Sequence, residues 1–447
     1  IKFLVADVYS IPTGSMEPTL IGRARGGDRI FSPKCVYWFR ANHGPNRWEP
    51  FLFKYPTTNR KDRNYGENFI KRCAGLPGET ILFAGGDLYA ASAPGQEGRL
   101  LQKPLELQAG VWIPVHRERF IAGNAEAFSH YWQALVPGGW SLSPGVLHVD
   151  TDRAVSFTYR PHVPDIVSDG VTDLYVKRQA VTFRGPKSGV CFRATVDSPQ
   201  VSAVIPQTGE FVTVADLAAF SESGSEEVLP GGLETRRSPE VPLHLVPDLR
   251  IAADIRPRAA RGRFGLEITA DERSWKAVVS LADGRAVVEE NGLPLAEPVI
   301  VDIAPGRPCR LEFFRCDGRI VLMADGRTVA SFDRSERKPA ADFEYRSTGV
   351  RLEASDAALD ILGVDVDRDV YYYWCGYGVD AWPASDAVRQ FMRLQHAYVL
   401  PKDGYMALGD NQPNSNDSRY WGPVPADNLI GPALATFWPP HRMRTLY

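Results

Sequence analysis

Residues 11–20 read Ile-Pro-Thr-Gly-Ser-Met-Glu-Pro-Thr-Leu, a few residues after an apolar run at positions 3–5. Pro12 and Pro18 fix φ and lack amide donors, and Gly14 allows backbone conformations that other residues avoid. The pattern predicts that Ser15 lies on a tightly shaped loop at the end of a strand. A single loop serine is usually solvated and inert, so its meaning depends on residues elsewhere in the chain.

Two further stretches add the missing chemistry. Residues 69–79 read Phe-Ile-Lys-Arg-Cys-Ala-Gly-Leu-Pro-Gly-Glu, and residues 408–422 read Leu-Gly-Asp-Asn-Gln-Pro-Asn-Ser-Asn-Asp-Ser-Arg-Tyr-Trp-Gly. With residues 11–20 they resemble the motifs of the bacterial type I signal peptidase family, roughly P-S-G-S-M-x-P-T, Y-I-K-R-x-x-G-x-P-G-D and G-D-N-x-x-x-S-x-D-S-R-x-W-G. The resemblance covers about the first 117 and the last 80 residues and leaves the middle of the chain unexplained.

The composition is that of a globular chain. Its 447 residues are 44% hydrophobic and 23% charged, and the length suggests two or three domains. The net charge is −3 and the basic residues are scattered, so we expect no nucleic-acid partner. No stretch reaches the ~18 consecutive apolar residues that a membrane-spanning helix needs.

The cysteines and histidines form no CxxC, Cys/His zinc or HExxH pattern, so the sequence predicts no metal and no cofactor. If residues 310–315 form one strand, Cys309 and Cys316 lie roughly 20 Å apart, too far for a disulfide. We interpret the cysteines as small buried apolar residues in preference to disulfides.

Short strand-forming runs separated by turns fill the first part of the chain. Residues 28–39, 51–55, 69–74, 80–83 and several runs within 88–115 are predicted strands, and none has a helical period. After residue 369 we predict a short helix behind Ser385, strands at 397–400 and 404–408, and a final strand over 431–438. These parts are therefore predicted to be all-β apart from that helix.

The middle of the chain has the pattern of a second β domain. Apolar residues alternate with polar ones over 249–255 and 264–268, and Asp-Gly-Arg recurs at Asp283, Asp317 and Asp325 as a hairpin signal. Short strands at such spacing predict a β-sandwich, similar in texture to concanavalin-like or laminin-G-like sandwiches, with a loop over 221–240. We expect a signal-peptidase-type antiparallel catalytic domain, residues 1–117 and 366–447, interrupted by a sandwich at 118–365.

Ser15 and Lys71 are the candidate nucleophile and base, in the Ser/Lys variant of triad chemistry that the resemblance implies. A lysine acts as a base only when neutral, and lowering its pKa from ~10.4 to ~8 costs about 3 kcal/mol, which apolar neighbours such as Phe69 and Ile70 can impose. Successive strand residues face opposite ways, so Arg72 faces away from the cleft and is expected to pair with an aspartate of the third motif, Asp410 or Asp417.

The resemblance implies further roles. Ser415 would orient the lysine amine, Asp417 and Arg419 would form a supporting ion pair, and the Thr13 hydroxyl with the Ser15 amide would form the oxyanion hole. Thr13 stands where the family more often has serine, and Gln412-Pro413 departs from a charged pair that is common at those positions in the family. The substrate would add as a strand along four residues, namely Ile11, Pro12, Phe69 and Ile70.

The expected substrates are signal peptides with small residues at −1 and −3. Residue 1 is not Met, and family members carry a membrane anchor before the serine motif, so we expect an upstream anchor in the bacterial cytoplasmic membrane and a monomeric catalytic domain on its outer side. Two alternatives remain: a soluble self-cleaving repressor, which lacks the long third motif, and an inactive scaffold whose sandwich binds glycan or protein.

Overall fold

The first part of the chain is built from short antiparallel strands. The structure is a computed structural model that describes residues 6–22, 27–41, 43–121, 123, 125–129, 131–159, 181–184, 191–194, 220–221, 244–334, 338–412 and 415–446. The first elements are β1 (Ala6–Ser10), β2 (Arg29–Pro33), α1 (Val36–Phe39), β3 (Pro50–Lys54), β4 (Asn68–Gly75), β5 (Thr80–Ala84), β6 (Asp87–Ala91), β7 (Arg99–Leu100) and α2 (Leu105–Val111). A one-turn 3-10 helix, Gly14–Met16, carries Ser15.

The middle part is a β-sandwich, as predicted. Its elements are β8 (Ile113–Glu118), α3 (Ala125–Ser129), β9 (Trp132–Ala134), β10 (Trp140–Ser143), β11 (Val146–Tyr159), β12 (Val181–Arg184), β13 (Cys191–Ala194), β14 (Phe220–Ser221), β15 (Leu249–Pro257), β16 (Arg263–Ala270), β17 (Arg273–Ser280), β18 (Arg285–Glu290), β19 (Leu293–Pro294), β20 (Val299–Ile300), β21 (Cys309–Cys316), β22 (Arg319–Ala324), β23 (Arg327–Asp333) and β24 (Thr348–Arg368). The predicted loop at 221–240 lies outside the described residues except for Ser221.

The last part of the chain adds strands to the sheets of the first part. Its elements are α4 (Asp386–Gln395), β25 (Ala397–Val399), β26 (Gly404–Leu408), α5 (Ser418–Trp421), β27 (Val424–Pro425), β28 (Leu429–Pro432), β29 (Ala435–Trp438) and β30 (Arg444–Thr445). The helix α4 begins after the predicted N-cap, because the Ser385 side chain accepts a hydrogen bond from the Val388 amide.

Strands from the two ends of the sequence share three sheets. The five-stranded sheet has the order β27-β26-β4-β3-β28, and two four-stranded sheets have the orders β25-β5-β6-β7 and β1-β2-β29-β30. Strand β26 pairs with β4 so that Leu408 lies opposite Arg72. This register places residues 409–411, which follow β26, next to the part of β4 that carries the predicted site residues Lys71 and Arg72.

The sandwich encloses one apolar core. Trp275 of β17 and Phe264 of β16 belong to the same buried cluster as Phe313 of β21 and Ile320 of β22. The 21-residue strand β24 pairs with β8, β11, β15 and β16. Strand β8 begins at Ile113 and strand β24 ends at Arg368, so both strands cross the predicted limits of the inserted domain, residues 118 and 365. The exact residues at which the domain begins and ends therefore stay a prediction.

The Asp-Gly hairpin signals are confirmed. Strands β21 and β22 are joined through Asp317 and β22 and β23 through Asp325, both aspartates at positive φ and each followed by a glycine at positive φ. The single strand predicted for 310–315 is confirmed as β21, and Cys309 and Cys316 are free, as are Cys35, Cys73 and Cys375. The Asp-Gly turns therefore determine which residues lie opposite each other in β21, β22 and β23.

Three predictions of secondary structure are wrong. Residues 36–39 form α1 and not the end of a strand: β2 ends at Pro33, and the Tyr37 ring is buried against β3, so packing overrides β-propensity. Residues 105–111 form α2, which is too short for its period to show in the sequence. The final strand predicted for 431–438 is two strands, because the chain leaves β3 after Pro432 and joins β2 from Ala435.

Candidate active site

Ser15 and Lys71 meet in the structure. Lys71 lies on β4 between β3 and β26, and its Nζ donates a hydrogen bond of 2.6 Å to Ser15 Oγ. Only 8% of Ser15 and 4% of Lys71 is exposed. Fifty-six residues separate the two side chains in the sequence. The chain therefore brings together the two residues that the sequence singled out as nucleophile and base.

Burial lowers the pKa of Lys71 to about 8, because a charged amine is poorly solvated there. The negative charges of Asp417 and Asp410 oppose this effect. The ring of Phe69 lies 5.8 Å from Nζ, and Nζ also donates to the Ile70 carbonyl at 3.1 Å. With a pKa of about 8, roughly a tenth of these amines is neutral at pH 7 and able to accept a proton, and the fraction rises to about half at pH 8.

Arg72 points to the opposite side of β4 and binds Asp410. Its Nε lies 2.7 Å from Asp410 Oδ1 and its Nη2 2.5 Å from Oδ2, a bidentate pair with both side chains 1% exposed. The same guanidinium donates to the Trp48 carbonyl at 2.6 Å and to Thr19 Oγ1 at 3.1 Å. Of the two partners left open by the sequence, the structure selects Asp410.

Asp417 and Arg419 form a second buried ion pair. Arg419 Nε lies 2.8 Å from Asp417 Oδ1, and the Asp417 carboxylate also accepts the Gly409 amide at 3.1 Å. Arg419 donates to the Gln412 carbonyl at 2.7 Å and stacks over the Tyr373 ring at 4.5 Å. These contacts fix the turn that follows β26 on both of its sides.

Ser415 is buried beside the serine loop, but its hydroxyl makes no hydrogen bond within the part of the chain that the structure describes. A Cβ on Gly409 would lie 2.2 Å from Ser415 Oγ and 2.4 Å from the Ser15 carbonyl oxygen. Glycine at 409 therefore allows the third motif to approach the serine loop closely. The orienting role expected of Ser415 stays a prediction.

The predicted substrate-binding residues lie around Ser15. Ile11 is 2% exposed and packs in the same apolar cluster as the half-buried Ile70. Phe69 is half-buried, whereas Pro12 and Thr13 are exposed. Thr13 precedes the 3-10 helix of Ser15 with an extended backbone, and its side chain makes no capping hydrogen bond to that helix.

Among the residues that the structure describes, one group of three carboxylates has a geometry that could hold a metal ion. Ligand oxygens of Asp87, Asp248 and Asp317 lie within 4.8 Å of one another. The group is at the contact between the sandwich and the peptidase-like part, where Lys103 Nζ lies 2.7 Å from Asp317 Oδ1 and 2.8 Å from Asp369 Oδ2. The carboxylates of this group therefore lie next to the buried ammonium of Lys103.

Sequence reasoning missed three residues that hold the site. The Asn411 side chain donates to the Gly14 carbonyl at 3.0 Å, the Thr19 hydroxyl bridges Arg72 and Asp410, and the Trp48 carbonyl accepts from Arg72. Thr19 lies inside the first motif and Asn411 inside the third, and this position was the signal by which the sequence could have identified them. Trp48 acts through its backbone, so its residue type carries no signal.

The two parts that flank the sandwich match a known family. The model of the family "Signal peptidase, peptidase S26" matches residues 1–125 and 348–438. "Probable signal peptidase I-2" of Synechocystis is 32% identical over 134 residues, 30% of this chain and 58% of that protein. "Probable signal peptidase I-1" of the same organism is 32% identical over 136 residues, 30% of this chain and 65% of that protein.

A third relative agrees over a shorter stretch. "Signal peptidase I" of Leptolyngbya laminosa is 49% identical over 47 residues, 10% of this chain and 23% of that protein. These matches support a member of the signal peptidase I family with an extra domain between its two matching parts. It spans less than two thirds of the length of these curated relatives.

The comparison with solved structures finds proteins that are similar to part of this chain. The carbohydrate-binding module CBM66 of Bacillus subtilis has a TM-score of 0.26 at 12% identity, covering 53% of this chain and 94% of that one. A galectin-like protein of unknown function from the same species has a TM-score of 0.30 at 8% identity, covering 57% and 94%. Because both scores are below 0.5, the assignment of a sandwich rests on the strand pairings described above.

Proposed function

We propose that this chain is a serine endopeptidase that removes N-terminal signal peptides from exported preproteins, with Ser15 as nucleophile and Lys71 as general base. The observation that carries the proposal is the 2.6 Å hydrogen bond between the two side chains. It is supported by the burial that lowers the pKa of Lys71 to about 8. A nucleophile in contact with an activated base is the minimal requirement for acyl transfer by serine.

The proposed reaction begins with neutral Lys71. Its Nζ accepts the Ser15 hydroxyl proton while Oγ attacks the scissile carbonyl carbon. The resulting ammonium of Lys71 then gives that proton to the departing amine, which leaves as the new N-terminus of the mature protein. Water enters and loses a proton to Nζ while its oxygen attacks the acyl ester. The bond from the acyl carbon to Ser15 Oγ then breaks, the Lys71 ammonium returns the proton to Oγ, and the signal peptide leaves as a carboxylic acid that ionises in water, so Ser15 and neutral Lys71 are both restored.

The oxyanion of each tetrahedral intermediate would accept hydrogen bonds from the Ser15 amide and the Thr13 hydroxyl. Thr13 is exposed and extended beside Ser15, which favours this role. One donor in such a site typically contributes ~10²–10³ in rate. Threonine restricts the rotamer of the donor more than the serine usual in the family would.

The substrate would lie extended between residues 11–13 and the part of β4 that carries Ile70. Ile11 and Ile70 share one apolar cluster next to the serine loop, so they are placed to line shallow apolar pockets. Small side chains at −1 and −3 suit such pockets. Arg72 with Asp410 and Arg419 with Asp417 would hold the surrounding turns without touching the substrate.

We propose that the protein works at the outer face of the bacterial cytoplasmic membrane. No helix among the described residues is long and apolar enough to cross a bilayer. Large apolar side chains are nevertheless exposed on the sheet that contains β1, β2 and β29. Val8 of β1 lies directly opposite Phe31 of the neighbouring strand β2, and both are exposed. Trp438 of β29 is 46% exposed. An exposed patch of this kind favours contact with a membrane.

Cleavage of a synthetic preprotein peptide with an Ala-x-Ala site tests the proposal. Native protein should cleave after the second alanine, and Ser15→Ala and Lys71→Ala should each reduce kcat by at least about 10³-fold. The exposed residues Ser141 and Lys402 supply matched controls, and Ser141→Ala and Lys402→Ala should retain full activity. Undiminished cleavage by Ser15→Ala would contradict the proposal, and inactive native protein in detergent would favour the scaffold alternative.

A further inference from the structure

We propose that Asn411 is a positioning residue that orients the backbone amide of Ser15 as the oxyanion donor. The inference rests on the proposed function and adds a residue to it. Asn411 is 4% exposed and lies on the turn that follows β26, next to the ion-paired Asp410. It does not contact the substrate in this scheme and acts only through the serine loop.

Asn411 holds both peptide units that flank Ser15. Its side-chain Nδ2 donates to the Gly14 carbonyl oxygen at 3.0 Å, and its backbone amide donates to the Ser15 carbonyl oxygen at 3.2 Å. The Glu17 amide also donates to the Gly14 oxygen, at 3.2 Å. Two donors thus fix the carbonyl before Ser15 and one fixes the carbonyl after it.

The chemical consequence follows from the planarity of the peptide bond. The Gly14 carbonyl and the Ser15 N–H belong to one peptide unit, in which the two bonds point in opposite directions. Holding the Gly14 oxygen therefore sets the direction of the Ser15 N–H. A donor on the carbonyl oxygen also polarises the peptide and strengthens its N–H as a donor, by roughly 10–30% per bond in a chain of hydrogen bonds.

Asn411 can do this because its own position is fixed. The preceding residue, Asp410, receives two hydrogen bonds from Arg72 and one from the Thr19 hydroxyl. Thr19 belongs to the same loop as Ser15, so the loop is attached to the third motif at two points. Rotation of the Gly14–Ser15 peptide would break the Asn411 contact while leaving the Thr19 contact in place.

The test compares Asn411→Ala and Asn411→Asp with native protein in the peptide-cleavage assay, with kcat and KM measured separately from pH 6 to 10. We expect Asn411→Ala to lower kcat by about 10- to 100-fold, between the loss of one hydrogen bond and the loss of an oxyanion donor. The nearly isosteric Asn411→Asp should be at least as impaired, because it replaces the donor with a carboxylate. KM should change less than threefold in Asn411→Ala.

The pH profile separates positioning from general damage. Asn411 contacts backbone and not Lys71 Nζ, so in Asn411→Ala the midpoint of the rise in kcat with pH should stay at the native value. A site opened to water would move the midpoint toward ~10.4, the pKa of a free lysine. Asn428→Ala is the matched control, since the Asn428 amide also donates to a backbone carbonyl, that of Lys54 at 2.9 Å. It should leave kcat unchanged.

The outcomes are distinguishable from failure of the proposed function. Native cleavage that is lost in Ser15→Ala but unchanged in Asn411→Ala would overturn this inference alone. A shifted midpoint in Asn411→Ala would overturn it as well, since Asn411 would then preserve burial and not direction. Absence of native cleavage would instead remove the proposed function on which the inference rests.

Discussion

Replacing Lys71 with methionine should stabilise the protein at neutral pH while abolishing its activity. The pKa of Lys71 is lowered to about 8, against ~10.4 for a lysine in an unfolded chain. The difference of roughly 2.4 corresponds to about 3 kcal/mol by which folding disfavours the charged amine. Methionine has a similar length and carries no charge, so the variant avoids this cost.

The sign of the effect depends on pH in a defined way. Below pH 8 Lys71 is protonated in both states and the folded protein bears the whole penalty. Between pH 8 and ~10.4 the unfolded chain binds more protons than the folded one, so native stability rises with pH and the advantage of the variant shrinks. Loss of the hydrogen bond to Ser15 takes back about 1 kcal/mol, which leaves an expected gain of about 2 kcal/mol at pH 7.

Urea unfolding at pH 7, 9 and 10.5, with extrapolation to water, measures this difference. Lys402→Met, at an exposed position, should change the free energy of unfolding by less than about 0.5 kcal/mol and shows the background effect of losing a lysine. A Lys71→Met variant that is less stable than native protein at pH 7 would refute the reasoning. A gain that is equal at all three pH values would refute it too, because a buried charge must titrate.

Two further substitutions probe the structure around the dyad. Asp410→Asn leaves the buried Arg72 without its counter-ion and should lower the free energy of unfolding, measured in urea, by about 3 kcal/mol. Because the charge of Asp410 raises the pKa of Lys71, the pH profile of any residual cleavage should also move to lower pH. Gly409→Ala places a Cβ 2.2 Å from Ser415 Oγ and 2.4 Å from a backbone oxygen. It should cost about 1–3 kcal/mol and abolish peptide cleavage.

Each of these substitutions has a control in the same chain. Asp386 is fully exposed in its pair with Arg389, so Asp386→Asn should not change stability measurably. A Cβ on Gly110, in helix α2, would meet its nearest atom at 3.6 Å, so Gly110→Ala should be neutral or slightly stabilising. If Gly110→Ala were as harmful as Gly409→Ala, close approach would not be the reason for glycine at 409.

The sequence was sufficient to predict the features that local patterns determine. Asp-Gly turns predicted the hairpins at Asp317 and Asp325, since these residues accept positive φ readily. Alternation along β4 predicted that Lys71 and Arg72 face opposite ways, and both now have separate sets of partners. The motifs predicted the pairing of Ser15 with Lys71 across 56 residues only through resemblance to a family.

Features that depend on long-range packing could not be predicted. Lys103 and Asp317 are 214 residues apart and form a fully buried pair between the two parts of the protein, with no pattern in either segment to announce it. Helix α1 contradicts the β-propensity of Val36 and Trp38 because the burial of Tyr37 decides its conformation. The role of Asn411 likewise depends on where the backbone of residue 14 lies.

The most direct test of the Ser/Lys assignment is the rate of acyl-enzyme formation in a single turnover of native protein from pH 6 to 10, with the acylated residue identified by mass spectrometry. We expect the acyl group on Ser15 and a rate that rises tenfold per pH unit below about 8 and levels off above it, because only neutral Lys71 accepts the proton. Acylation of another residue, or a rate that is flat across this range or still rising at pH 10, would contradict the assignment.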